Sequence, residues 1–158
     1  MFNPKTSRAT FRFRRLWGAA ALMFLLGTAL SDRAAAGAAC VVAKKMGNSL
    51  ALEWVADSGL DVEAAVAQAE QKLERAGYGA DRYEDLFPQA NTELPHAYVI
   101  IVKTSYLNAR GRVRVSYGCG FSAESYTEAQ WAALRDLQSY SWGWTPDKGF
   151  EVIERFRF

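Results

Sequence analysis

The residues with chemistry in them are few. The chain holds one histidine, His96, and two cysteines, Cys40 and Cys119. Side-chain catalysis needs a nucleophile with a base in reach, and metal chemistry needs several ligands at suitable spacing. His96 follows Pro95 at the entrance to a strand and reads as a structural or surface group. The neighbouring acids Glu84-Asp85 and the pair Glu151/Glu154 have the pattern of a solvated face. Gly118-Cys119-Gly120 lacks both the spacing and the lysine of a phosphate-cradling loop. No catalytic residue, metal site or cofactor is expected, and the pattern reads as non-catalytic rather than enzymatic.

A binding surface is better supported. Arg112 and Arg114 alternate with Val113 and Val115, so in a strand both arginines share one face. That face is expected to be the one turned away from the helices, with Arg155 and Arg157 joining it. Tyr140, Trp142 and Trp144 supply flat rings nearby in sequence. Arginine set among aromatics suits recognition of a glycan, a carboxylate or a protein. The competing reading has Trp142 and Trp144 capping the core while the arginines pair with Glu53, Glu151 and Glu154.

Composition says where such a surface would work. Lys5, Arg8, Arg12, Arg14 and Arg15 precede an apolar run from Leu16 to Leu30, the pattern of an export signal. Small residues allow cleavage after Ser31 or after Ala36, giving a signal over 1–36 and one domain over 37–158. An uncleaved anchor is the strongest alternative, although the run is short for the ~20 residues of a spanning helix. Residues 1–31 hold five of the 19 basic and none of the 17 acidic residues, which leaves 14 against 17 and a net charge of −3. That balance argues against nucleic acid as a partner. Two cysteines in an exported chain are expected to form a disulfide, Cys40 to Cys119.

These residues need elements to hold them. Cys40–Ala43 and Ser49–Val55 read as a hairpin turning at Gly47-Asn48. Val62, Ala65, Val66, Ala69, Leu73 and Ala76 recur at helical spacing after a Ser58/Asp61 capping box, and Gly77 stops the helix. Residues 78–96 read as a long connection with a short helical turn, plugged by Leu86 and Phe87. Tyr98–Val102 is a continuous apolar run, as in a strand covered on both sides. In Arg112–Phe121 the odd positions face inward, Cys119 among them, and Gly118 and Gly120 face the other way, implying a bulge or the close approach of another group. Ser125 and Glu128 cap a second helix whose buried stripe is Tyr126, Ala129, Ala133, Leu137 and Tyr140. A strand from Phe150 closes the chain, and the second half echoes the first, as a duplication would.

The fold expected is α+β, with two helices on one face of a mainly antiparallel sheet of four or five strands, in ferredoxin-like β-α-β-β-α-β order. Arg112-Val113-Arg114-Val115 followed by Ser125–Leu137 resembles the second half of SPOR domains, exported modules of that order. The resemblance implies binding to peptidoglycan glycans. Functionally the chain reads as a small exported, disulfide-linked envelope protein, periplasmic or secreted, that binds an envelope protein or glycan through a basic, aromatic sheet face. The other readings are a SPOR-like glycan-binding module, an envelope hydrolase or hydrolase inhibitor using the Trp142–Gly149 loop, and an accessory subunit tethered to the membrane by its N-terminal segment.

Overall fold

A computed structural model describes residues 36–158. The expected export signal falls on residues outside those described. Six strands and two helices follow in the order β1 (Gly37–Lys45), β2 (Asn48–Asp57), α1 (Val62–Arg75), β3 (Glu84–Thr92), β4 (Tyr98–Leu107), β5 (Val113–Ser122), α2 (Tyr126–Tyr140) and β6 (Glu151–Arg157). The fold is α+β, but the single four- or five-stranded sheet is not what forms. Two antiparallel sheets of three strands form instead, ordered β2-β1-β3 and β5-β4-β6, so the described residues do not take the ferredoxin-like order expected from the sequence.

Each half of the chain is one ββαβ unit, its first strand central and its helix on the outer face. The helices repeat position for position. Caps Asp61 and Ser125 each accept a backbone N–H three residues on, and the buried triplets are Ala65, Ala69, Leu73 and Ala129, Ala133, Leu137, every pair 64 residues apart. Asp61, not Ser58, is therefore the first cap. Alanine at two of every three buried positions lets each helix lie close to its sheet, and the one leucine fills the wider gap. Truncating either leucine to alanine would cost about 2–5 kcal/mol.

The apolar runs follow from this layering. Ala39, Val41 and Ala43 of β1 pack under α1, while Ile100 and Val102 of β4 pack under α2. The intervening residues Cys40, Val99 and Ile101 meet between the sheets with Trp54, Phe156 and Cys119. Both central strands are thus covered on two faces, which is why β1 and β4 are apolar without alternation. Trp54 of the first sheet stacks on Phe156 of the second at 4.3 Å. The Cys40–Cys119 disulfide joins the sheets across this layer, with Cα atoms 6.5 Å apart, within the range for an ordinary bridge. Closing its 79-residue separation restricts the unfolded chain by about 4 kcal/mol in the chain-entropy account.

The chain between α1 and β4, expected to be irregular with a helical turn, supplies β3. Its Pro88 sits on the edge strand beside a bulge, where Cys40 pairs with Ala90 and Val41 with Pro88, a position that tolerates a missing N–H. Leu86 does plug the core under α1, whereas Phe87 is on the surface. A second bulge opposite Ile101/Val102 lets Ile153 and Phe156 both enter the layer between the sheets.

Gly118 and Gly120 are explained by α2. A Cβ at Gly118 would lie 2.2 Å from the Ala133 carbonyl oxygen, and one at Gly120 would lie 2.0 Å from that of Ala129. The missing side chains admit the helix backbone itself. The same alternation settles β5: even positions face α2, and odd positions face the other sheet.

Candidate functional site

That alternation corrects the expected binding face. The sheet surface turned away from the helices is closed by the second sheet, so no open face exists there for Arg112 and Arg114. Arg114 lies on the α2 side, opposite Tyr106 in the β4–β5 register. Arg155 and Arg157 also lie on the α2 side but at the far end of β4, opposite Ile100 and Tyr98. Eight residues of strand separate Tyr98 from Tyr106, about 27 Å. The four arginines are therefore two pairs, not one patch. Arg155 sits over the Tyr126 ring at 4.1 Å and Arg157 over Tyr98 at 4.9 Å, so both have aromatic partners already.

The aromatic trio divides as well. Trp144 is core, 3% exposed, with its indole N–H donating to the Gly149 carbonyl at 2.9 Å. Trp142 is 100% exposed. Local geometry forces this difference. Ser141 is buried at the end of α2, and Gly143 lies so flat on Tyr106 that a Cβ would sit 2.8 Å from the ring. With neighbours on both sides pinned, and Trp144 anchored beyond them, the Trp142 side chain has only solvent to enter.

Around Trp142 the structure gathers residues from three connections. One groove of about 440 Å³ is lined by Arg110, Arg112, Arg114 and Trp142, and an adjoining one of about 350 Å³ by Met46, Tyr106, Arg114, Tyr140 and Trp142. No acidic side chain lines either groove. Arg114 bridges the two and donates to the Met46 carbonyl at 3.2 Å. Asn108 shapes the β4–β5 loop by accepting from the backbone N–H of Arg110 at 2.9 Å and of Arg112 at 3.0 Å. Among the described residues the ion pairs within 4.0 Å are those of Lys45 with Asp81 and Glu84. The groove arginines take no part in them, and the expected pairing of arginines with Glu53, Glu151 and Glu154 does not occur.

Met46 stands out by its backbone. Lys45 pairs with Asn48, leaving Met46-Gly47 as a two-residue turn with φ of 49° and 74°. The turn is one residue earlier than the spacing predicts. Positive φ at both positions belongs to a type I′ turn, which favours Asn or Gly at the first. A methionine there is strained, and its side chain is 74% exposed. Leu107 and Val113, paired at the end of the β4–β5 hairpin, are also exposed. Of the residues expected from the sequence, Arg112, Arg114, Tyr140 and Trp142 come together here, and Met46, Leu107, Val113 and Arg110 join them. Arg110 falls within a turn expected from the sequence, whereas Met46 and Leu107 flank such turns and Val113, expected to face inward, is exposed.

Lys44 is held at the margin of this end, 4.2 Å from the Phe87 ring centre and 4.3 Å from that of Tyr140. Burial pushes its ammonium below its ordinary value, opposed by the carboxylate of Asp136. Asp136, on α2, accepts from Gln89 Nε2 at 2.7 Å and from the Cys119 backbone N–H at 2.8 Å. Gln89 also donates to the Tyr117 carbonyl, and Asn48 Oδ1 accepts from Val115 N–H at 2.9 Å. The open edge of β5 is thus occupied by side chains of the first sheet and α2, which removes it as a strand-pairing surface.

His96 is exposed and does not line the grooves around Lys103, Trp131, Arg112 or Met46. The described residues contain no group of three metal-ligating side chains and no helix long and apolar enough to cross a membrane. Comparison with protein-family models, curated proteins and solved structures returned no match.

Proposed function

We propose that this chain is a non-catalytic binding domain of an oxidising compartment outside the cytoplasm, acting through the end built around Trp142. The observation that carries this reading is a fully exposed tryptophan between two grooves that share an arginine and contain no acid. Tryptophan and arginine are the side chains that contribute most when buried by a partner, and a clustered apolar patch on a protein surface marks an interaction site. The Cys40–Cys119 disulfide is consistent with export.

The test is co-sedimentation of the oxidised protein with envelope material. The double variant R112E/R114E, on surface residues whose side chains anchor no core, is expected to fold and to lose at least tenfold in binding. Equal binding by wild type and variant, or no binding by either, overturns the reading.

A further inference from the structure

Six large apolar side chains that reach solvent lie at this one end: Met46, Phe87, Leu107, Val113, Tyr140 and Trp142. They come from the tip of the β1–β2 hairpin, the end of the β4–β5 hairpin, β3, the last residue of α2 and the connection after it. Between them stand Arg110, Arg112 and Arg114, free of ion pairs with any described residue. Near this end Lys45 engages Asp81 and Glu84, Asp85 lies beside Lys44 in the β1–β3 register, and Asp136 acts on Lys44 from α2.

Resting on the reading of this end as a binding surface, we propose that its partner is an anionic phospholipid membrane. The two grooves take headgroup phosphates, and Trp142, Met46, Leu107 and Val113 enter the interface between headgroups and acyl chains.

Two features favour a bilayer over a folded protein partner. Met46 and Trp142 flank one groove, whereas Leu107 and Val113 project from the β4–β5 hairpin outside it, so a soft, laterally continuous medium accommodates them together. Guanidinium groups interleaved among them match a surface whose negative charge lies just above its apolar layer. Arginine binds phosphate in a fork of two N–H donors. Each basic side chain near an anionic leaflet is worth about fivefold in partitioning, and an indole prefers the level of the headgroups. The strained φ of Met46 has the same logic. An asparagine would relax the turn, but it would remove the apolar tip, and backbone outliers of this kind collect at functional surfaces.

The experiment is vesicle flotation of the oxidised exported chain, using phosphatidylcholine alone and an equal mixture of phosphatidylcholine and phosphatidylglycerol. Binding to the mixed vesicles is expected, with little to phosphatidylcholine alone. W142A should weaken it about tenfold and R112E/R114E more strongly, while W131A, which alters an exposed tryptophan elsewhere on α2, should leave it unchanged. Failure to float with the mixed vesicles overturns the lipid proposal, as does equal flotation of wild type and W142A. If envelope co-sedimentation is then still lost in R112E/R114E, the binding end stands and its partner is a protein or glycan. If neither assay shows binding through this end, both readings fall.

Discussion

Asp136 shows how much of this molecule depends on single polar side chains that sequence pattern does not flag. Its carboxyl is held above its ordinary 3.8 by burial, with the hydrogen bonds from Gln89 and Cys119 and the charge of Lys44 working against the shift. A raised carboxyl binds its proton more tightly in the folded chain than in the unfolded one. Its contribution is therefore greatest at acid pH and declines as pH rises from 3.8 through the raised value. The variant D136N keeps an acceptor oxygen for both donors and removes the titration. Its stability relative to wild type should rise between about pH 3 and pH 7 in denaturant titrations; a difference independent of pH would contradict the burial argument. D136A leaves two buried donors unpaired and should lose about 2 kcal/mol. At the other extreme, M46N should stabilise the β1–β2 turn by about 0.5–1 kcal/mol while weakening vesicle binding. A loss of stability would show that the methionine is not the strained residue of the turn.

At the scale of elements, helices were the most legible part. Both alanine stripes and the capping signal at Ser125 were readable because they depend on local spacing, and the structure buries the central alanines and leucine of each. The β3 strand was not legible. Pro88 and the run of acids before it carry no period-two alternation, and the strand exists because β1 offers an unpaired edge and Leu86 a place under α1. β6 gave up its alternation to a bulge. The glycines of β5 imply a bulge or a close approach, and only the Ala129 carbonyl oxygen, 2.0 Å from a Cβ at Gly120, decides for the approach and identifies what approaches. G120A should accordingly lose about 3 kcal/mol or fail to fold, measured by its urea midpoint. A change within about 0.5 kcal/mol, the range of an ordinary surface substitution, would mean that α2 does not lie against β5 as described.

For the molecule as a whole, the missing step in the sequence was the second sheet. Nothing local distinguishes one sheet with an open face from two sheets packed together; the apolar run Tyr98–Val102 implies cover on both sides without naming what covers it. Once β1 and β4 are both central, the disulfide, the Trp54–Phe156 stack and the side-chain closure of the β5 edge follow as contacts between the layers. The same closure moves Arg112 and Arg114 from a sheet face to the end of the described residues where Trp142 is exposed. The direct measurement is photo-crosslinking in intact cells, with a photoreactive residue replacing Trp142 in one variant and Trp131 in another, both positions being exposed. Adducts, whether to lipid, glycan or protein, are expected from position 142 and not from position 131. Adducts from 131 alone, or from neither, would contradict the assignment of function to this end.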